Sequence, residues 1–379
     1  MAHSGAFTDM AILAHKIRLN PTPEQEDYFN QAAGVKRFVY NWGLEVWKKS
    51  HSESGTVFGV MAIKKQFNSI KEEQYPWVKN VAKDVAEGAF QDLGTALKNH
   101  FDHKKGKRKS WIGFPRFKSR RRSKQSFRLN NQNISVEENK VRIPRLGWVN
   151  MTESLRMSGK IMGAVVSKTA DWWFISISVD TDLILVDIPK SSVGVDLGVK
   201  TLAKLSDGSE FENQGLLRKV LRKLKRLNRE LARRIKGSNR WYRTKRQLAR
   251  LHYKIACKRK DFINKMTTKI ASTYKLIGIE DLNVEGMVRN RRLALSISDA
   301  SFGEILKQLV YKSVLFGSQV IKVDRFFASS KICSDCGFKN QELTLSDRTW
   351  TCPACNKVHD RDLNASINLE SEALRLVTS

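Results

Sequence analysis

The chain has 379 residues, with 68 Lys and Arg against 38 Asp and Glu and a formal charge of +30. That length exceeds what one hydrophobic core usually fills, so two to four structural units are expected, and so unbalanced a charge repels itself unless a polyanion neutralises it. There is no apolar run of about 18 residues and no signal-peptide pattern at Met1 to Asn20, so the composition points to a soluble protein inside the cell that binds nucleic acid and no membrane.

The alternation of apolar and basic residues over Ala11 to Leu19 reads as a strand ending at Asn20-Pro21. Thr22, Pro23 and Gln25 then form a helix start, with Thr at the N-cap, Pro at the first position and Gln at the third. Helical patterning runs to about Lys49 and returns through Met61 to Ile70 and Val81 to Phe101, so residues 21–103 form an all-helical unit after a first strand in 1–20. Phe38, Tyr40, Trp42 and Trp47 read as core at their helical spacing, with a base-stacking platform beside Lys36 and Arg37 as the alternative.

From Lys104 to Arg128 there are twelve Lys or Arg and no acid, with Phe114, Phe117 and Phe127 interleaved. This reads as a basic loop that contacts phosphate, and Arg116, Lys118, Arg120, Arg121 and Arg122 are its candidate contacts. Strand signals follow at Ile134 to Val136, Val141 to Ile143, Ala164 to Lys168 and Trp172 to Val179. With the first strand they suggest a small β-barrel split by the helical insertion, its remainder lying in 104–190.

Three carboxylates stand where burial is expensive. Asp196 follows the apolar run Val193-Gly194-Val195, Glu280 ends Leu276-Ile277-Gly278-Ile279, and Asp362 precedes a helical apolar face made by Leu363, Ile367 and Leu369. A buried carboxylate costs several kcal/mol unless it is paired or binds a metal. Three together suit two hard divalent cations, which activate water and stabilise the leaving oxygen in phosphodiester hydrolysis.

Between the first two acids, Arg218 to Lys260 carries nineteen Lys or Arg against the single acid Glu230. Leu217, Val220, Leu224, Leu227 and Leu231 keep a helical repeat that Leu248, Leu251, Ile255 and Phe262 resume after Gly237-Ser238-Asn239, so a helical hairpin is expected over 216–265. A solvated helix face mixes signs and this one does not, which marks Arg222, Lys225, Arg226, Arg229 and Arg233 as candidate nucleic-acid contacts. Cys333 and Cys336, then Cys352 and Cys355 fifteen residues on, have the spacing of a four-thiolate ribbon holding one structural Zn2+ over 331–357, with Cys257 as a bystander and His359 outside the set.

In the order Gly194-Val195-Asp196-Leu197-Gly198, Gly278-Ile279-Glu280-Asp281-Leu282, Cys333 to Gly337, Cys352 to Cys355 and Asp360-Arg361-Asp362-Leu363-Asn364, the chain resembles the TnpB family of prokaryotic insertion sequences, which is similar to the compact type V CRISPR effectors. Lys16 to Gln25, Arg37 to Trp42 and Phe114 to Ser119 extend the likeness over nearly the full length. It implies an α/β multi-domain protein. The expected parts are a split β-barrel wedge domain, a helical recognition insertion, an RNase H-like (RuvC-type) nuclease core over 191–330, an inserted zinc ribbon, and a last RuvC segment with the tail in 358–379. It further implies that Asp196, Glu280 and Asp362 are the catalytic acids holding two Mg2+, with Asp362 preferred over Asp360. The implied partners are a transposon-end guide RNA and double-stranded DNA with a flanking motif, bound by a monomeric, nucleoid-associated particle in the cytoplasm. About nine residues before Met10 are extra to the family pattern. The competing readings are a guided repressor that does not cut, which would not need all three acids, and a transposase that joins DNA strands.

Overall fold

The computed structural model describes residues 10–54, 59–108, 110–182, 187–291, 293–344 and 346–378, so the residues extra to the family pattern, 1–9, lie outside it. The chain divides into two compact units, Met1–Asp182 and Leu183–Ser379.

In the first unit, β1 (Met10–Asn20) leads into α1 (Pro23–Ser54). The Gln25 amide donates to Thr22 Oγ1 at 3.3 Å while the Thr22 amide donates to Gln25 Oε1 at 3.1 Å, so the two satisfy each other's free backbone groups at the helix start. Then come α2 (Val60–Gln74), a 3-10 turn (Pro76–Asn80) and α3 (Lys83–Lys104). The remaining strands are β2 (Ser126–Asn130), β3 (Ser135–Glu137), β4 (Lys140–Ile143), β5 (Gly147–Met151), β6 (Lys160–Thr169) and β7 (Trp172–Asp182).

These strands form one antiparallel sheet in the order β2-β6-β7-β1-β5-β4-β3. β1 pairs β7 from Met10 to Arg18 but meets β5 only through Leu19 and Asn20, so it passes from one half of the sheet to the other. Helices and sheet share a single core, in which Phe29 of α1 lies 5.1 Å from the Trp173 ring of β7 and 6.0 Å from Phe127 of β2. The basic segment therefore ends in structure: its last three residues, Ser126 to Arg128, belong to β2, and Phe127 is fully buried. Tyr40 and Trp47 are buried, and Phe38 and Trp42, partly buried, pack against the same core.

The second unit begins with β8 (Lys190–Asp196), β9 (Thr201–Leu205) and β10 (Glu210–Glu212). The helices α4 (Leu216–Arg233) and α5 (Asn239–Thr273) form the basic hairpin, with Ser238 Oγ accepting the Trp241 amide at 3.2 Å to cap α5. α5 runs eight residues past the expected end at 265, because Met266, Thr267, Ile270 and Ala271 are buried, and it passes directly into β11 (Tyr274–Glu280). Next are α6 (Val284–Arg289), α7 (Ala294–Ala300), α8 (Phe302–Phe316) and β12 (Gln319–Val323). The chain ends in the hairpin β13 (Thr349–Thr351) and β14 (Val358–Asp360) and in α9 (Arg361–Thr378).

The sheet order is β10-β9-β8-β11-β12, with β8, β11 and β12 parallel and β9 and β10 antiparallel. Lys312 of α8 is buried against α5 with neutral oxygens around it, its Nζ donating to the Asn264 backbone oxygen at 2.7 Å and to Thr268 Oγ1 at 2.7 Å. That burial pushes it down to about 8. Among the described residues, no helix is long and apolar enough to cross a membrane.

Candidate active site and cysteine cluster

Asp196 and Glu280 are the last residues of the adjacent parallel strands β8 and β11, so both carboxylates leave the sheet at the same edge. Asp362 lies in the first turn of α9. All three line one cleft of about 910 Å3.

Two glycines make this convergence possible. Gly194 and Gly278 stand opposite each other in the β8–β11 register, each two residues before its strand's acid. A Cβ on Gly194 would collide with the Ser366 carbonyl oxygen of α9, and one on Gly278 would sit 2.5 Å from the Leu369 oxygen. The missing side chains let the α9 backbone lie directly on the sheet, and its first turn carries Asp362 to the strand ends. Two asparagines one turn apart secure the other side of α9. Asn364 Nδ2 donates to the Ile332 oxygen at 2.7 Å, and its Oδ1 accepts the Ser334 amide at 2.9 Å. Asn368 Nδ2 donates to the Ser329 oxygen at 2.7 Å and the Ile332 oxygen at 2.6 Å. Both asparagines are buried, and every such group needs its partner.

Asp360 and Asp362 take different places. Asp360 is exposed and its Oδ1 accepts the Leu363 amide at 2.8 Å, capping α9, whereas Asp362 faces the cleft 3.4 Å from Arg348 Nη1. Burial, followed by the charges of Asp362 and Glu280, pushes Asp196 up to about 7, and burial also raises Glu280. A divalent cation is the group that would relieve this, since its charge favours all three carboxylates ionised and oxygen is the donor it prefers. Among the described residues, Cys333, Cys336, Cys352 and Cys355 bring their four sulfurs within 4.8 Å of one another, and Cys333, Asp335 and His359 form a second such group.

The cysteines fit zinc. Cys333 and Cys355 Sγ are 3.6 Å apart, as are Cys336 and Cys352 Sγ, far beyond a disulfide. A tetrahedron of thiolates with bonds of about 2.3 Å has edges of about 3.8 Å. The two knuckles repeat one backbone pattern: the Cys333 amide donates to Phe338 O and the Gly337 amide to Cys333 O, while the Cys352 amide donates to Lys357 O and the Asn356 amide to Cys352 O. The fourth residue after each leading cysteine is left-handed, Gly337 at φ 77° and Asn356 at φ 57°, the residue types that tolerate it. Sequence reasoning set His359 aside, yet it is buried with Nε2 3.1 Å from Cys333 Sγ, placed as a hydrogen-bond partner of that sulfur.

The candidate nucleic-acid contacts separate into two groups. Lys36 Nζ lies 2.7 Å from Asp92 and Lys118 Nζ 3.6 Å from the same carboxylate and over the Tyr40 ring, so both charges are engaged inside the first unit. Arg37 is half-buried, and burial followed by the Arg120 charge lowers its pKa. Arg116, Arg120, Arg121 and Arg122 are exposed. So are Arg222, Lys225, Arg226, Arg229 and Arg233, on the side of α4 away from buried Leu224 and Leu227.

Three family models match this chain. One described as a probable transposase (OrfB_IS605) covers residues 175–291, a Cas12f1-like TNB domain covers 302–369, and a helix-turn-helix domain covers 10–56. The last span contains β1 and, up to Ser54, the single helix α1, with no second helix among its described residues. InsQ of Escherichia coli K12, named as an RNA-guided DNA endonuclease, is 33% identical over 377 residues, covering 94% of this chain and 91% of its own. A Streptomyces pristinaespiralis protein of the same designation is 30% identical, covering 95% and 89%. Among solved structures, Cas12f1 with sgRNA and target DNA aligns with a TM-score of 0.55 at 15% identity over 92% of this chain and 83% of that one, a likeness of fold.

Proposed function

This chain belongs to the TnpB family, and from that premise we propose that it is an RNA-guided, Mg2+-dependent endonuclease that cuts double-stranded DNA at a single RuvC-type site. The observation that carries this reading is the cleft shared by Asp196, Glu280 and Asp362. The strand order of the second unit supports an RNase H-like core, since three antiparallel strands followed by two parallel ones is the layout of that fold. The seven-stranded sheet of the first unit is read as the wedge domain, and α1 to α3 as the recognition insertion.

Two Mg2+ ions, when bound, supply the charge that acidifies the attacking water and stabilises the leaving oxygen. Asp196 and Glu280 would hold them from the rigid strand ends and Asp362 from α9. Arg348 and Arg361, on the rim, would meet the phosphates of the strand being cut. Zinc at Cys333, Cys336, Cys352 and Cys355 keeps the ribbon folded. Because α9 is hydrogen-bonded to the first knuckle through Asn364 and Asn368, the same zinc steadies Asp362. The exposed cations of α4 and of residues 116–122 are read as backbone contacts to guide RNA and heteroduplex, with base pairing supplying the sequence specificity. A monomeric ribonucleoprotein in a prokaryotic cytoplasm is the expected working form.

The test is to co-express the protein with the flank downstream of its gene, sequence the RNA that co-purifies, and retarget it to a plasmid library with randomised flanks. Cleavage of matched targets beside one enriched flank, lost in EDTA, is the expected result. Asp196→Ala should reduce it by about a thousand-fold or more while target binding persists, as loss of one of the carboxylates that would hold the metal requires. Guide-independent joining of DNA ends would favour the transposase reading, and guided binding without cutting the repressor.

A further inference from the structure

Phe326 is 87% exposed, the most exposed large apolar side chain among the described residues, and it lines the cleft that holds the three carboxylates. Its neighbour Phe327 turns inward and packs against the small core of Leu276, Val323, Leu369 and Ala373. The turn between them is held at several points. Asp324 Oδ1 accepts the Phe326 amide at 2.8 Å, and the Asp324 backbone oxygen accepts the Phe327 amide at 3.0 Å. Arg325 Nη2 donates to Asp281 Oδ2 at 2.6 Å, while the Asp281 amide donates to the Val323 oxygen at 3.0 Å. Asp281 directly follows Glu280, so the base of the exposed ring is tied to the strand end that presents a carboxylate to the cleft.

We propose that Phe326 is a nucleobase platform that fixes the register of the DNA strand across Asp196, Glu280 and Asp362. Water is a poor solvent for a phenyl ring, and this ring is held out by a braced turn while the adjacent one is buried. The surroundings choose the occupant. Lys331, Arg348 and Arg361 line the same cleft and match a phosphate backbone, not an apolar peptide. Among the described residues that line it, Phe326 is the only exposed aromatic. Stacking on one ring accepts any base, as a nuclease directed by base pairing requires, and a base pinned at one point sets which phosphodiester reaches the acids. This inference rests on the cleft being a DNA-cutting site.

The experiment compares wild-type, Phe326→Ala, Phe326→Leu and Phe326→Trp proteins in their guide-RNA complexes. Single-turnover cleavage and cut positions are read on a matched plasmid, and target binding is read in an Asp196→Ala background. In parallel, the free proteins are titrated, with Ca2+ in place of Mg2+, against single-stranded DNA carrying 2-aminopurine. Phe326→Ala and Phe326→Leu should slow cleavage by about 5- to 100-fold, the fold-change of one lost stack. They should also spread the cuts over neighbouring positions and lose the 2-aminopurine quenching, with target binding and thermal unfolding unchanged. Phe326→Trp should retain all three properties. Wild-type behaviour of Phe326→Ala, or full rescue by Phe326→Leu, would overturn the platform. If no wild-type complex cuts a guide-matched target but quenching still follows the aromatic ring, guided cleavage fails while the platform stands.

Discussion

Asp360 and Asp362 sit two residues apart in a stretch where sequence alone offers either as a third acid, and their environments separate them. One oxygen of Asp360 is occupied by the Leu363 amide, while Asp362 faces the cleft and its ion pair with Arg348 is open to exchange. Asp362→Asn should therefore abolish cleavage, whereas Asp360→Asn keeps the capping oxygen and should cut normally. Asp360→Ala should lower unfolding stability by about 1 kcal/mol, the usual worth of an N-cap, with cleavage retained. A gel assay beside a denaturant melt reads both, and loss of cutting in Asp360→Asn with activity in Asp362→Asn would reverse the assignment. His359 shows the opposite limit of a sequence pattern. Four thiolates satisfy the metal's coordination, so nothing in the spacing reveals that a fifth side chain reaches Cys333 Sγ from the far end of the β13–β14 hairpin.

At the scale of elements, α9 joins the acids to the ribbon. It lies on β8 and β11 through the glycine pair and on the first cysteine knuckle through Asn364 and Asn368. Gly194→Ala should force α9 off the sheet, costing about 1–3 kcal/mol as overpacking does and slowing cleavage by more than the loss of folded protein explains. Cleavage per folded molecule, from circular dichroism and single-turnover rates, separates the two effects, and wild-type rates would show that α9 can shift without moving Asp362. Cys333→Ser should release the zinc, lower the melting temperature and impair cutting through the same helix. Zinc retained at one equivalent by mass spectrometry would contradict the four-thiolate site.

For the whole molecule, the formal charge of +30 is spread unevenly. Some cations are already paired internally, as Lys36 and Lys118 are with Asp92, and removing them would disturb the fold before it disturbed binding. The exposed row on α4 is different. Replacing Arg222, Lys225, Arg226, Arg229 and Arg233 by Gln keeps helix propensity and leaves Leu224 and Leu227 buried. The variant should fold normally but bind nucleic acid more weakly, and the slope of log affinity against log salt should fall by about 0.7–0.9 for each phosphate no longer neutralised. Filter binding across a KCl series measures it, and an unchanged slope would remove α4 from the interface.

The sequence by itself determined the chemistry this protein has available. Carboxylates at Asp196, Glu280 and Asp362 are costly beside apolar runs, the cysteine spacing suits zinc, and the basic tracts, whose single acid is Glu230, suit a polyanion. Local rules also set the start of α1, where Thr22 and Gln25 close a capping box, and the α4–α5 hairpin. Periodicity did not reveal β2 or β5, and in β2 the residues Ser126 to Arg128 close the cationic run that reads as a loop. Only the tertiary structure decided what depends on partners distant in the chain. It opposed Gly194 to Gly278 so that α9 could approach, spent Lys36 and Lys118 on Asp92, and turned Phe326 outward while Phe327 turned in. Spacing records which side chains share a face of one element, but burial and charge pairing are set by whatever that face later meets.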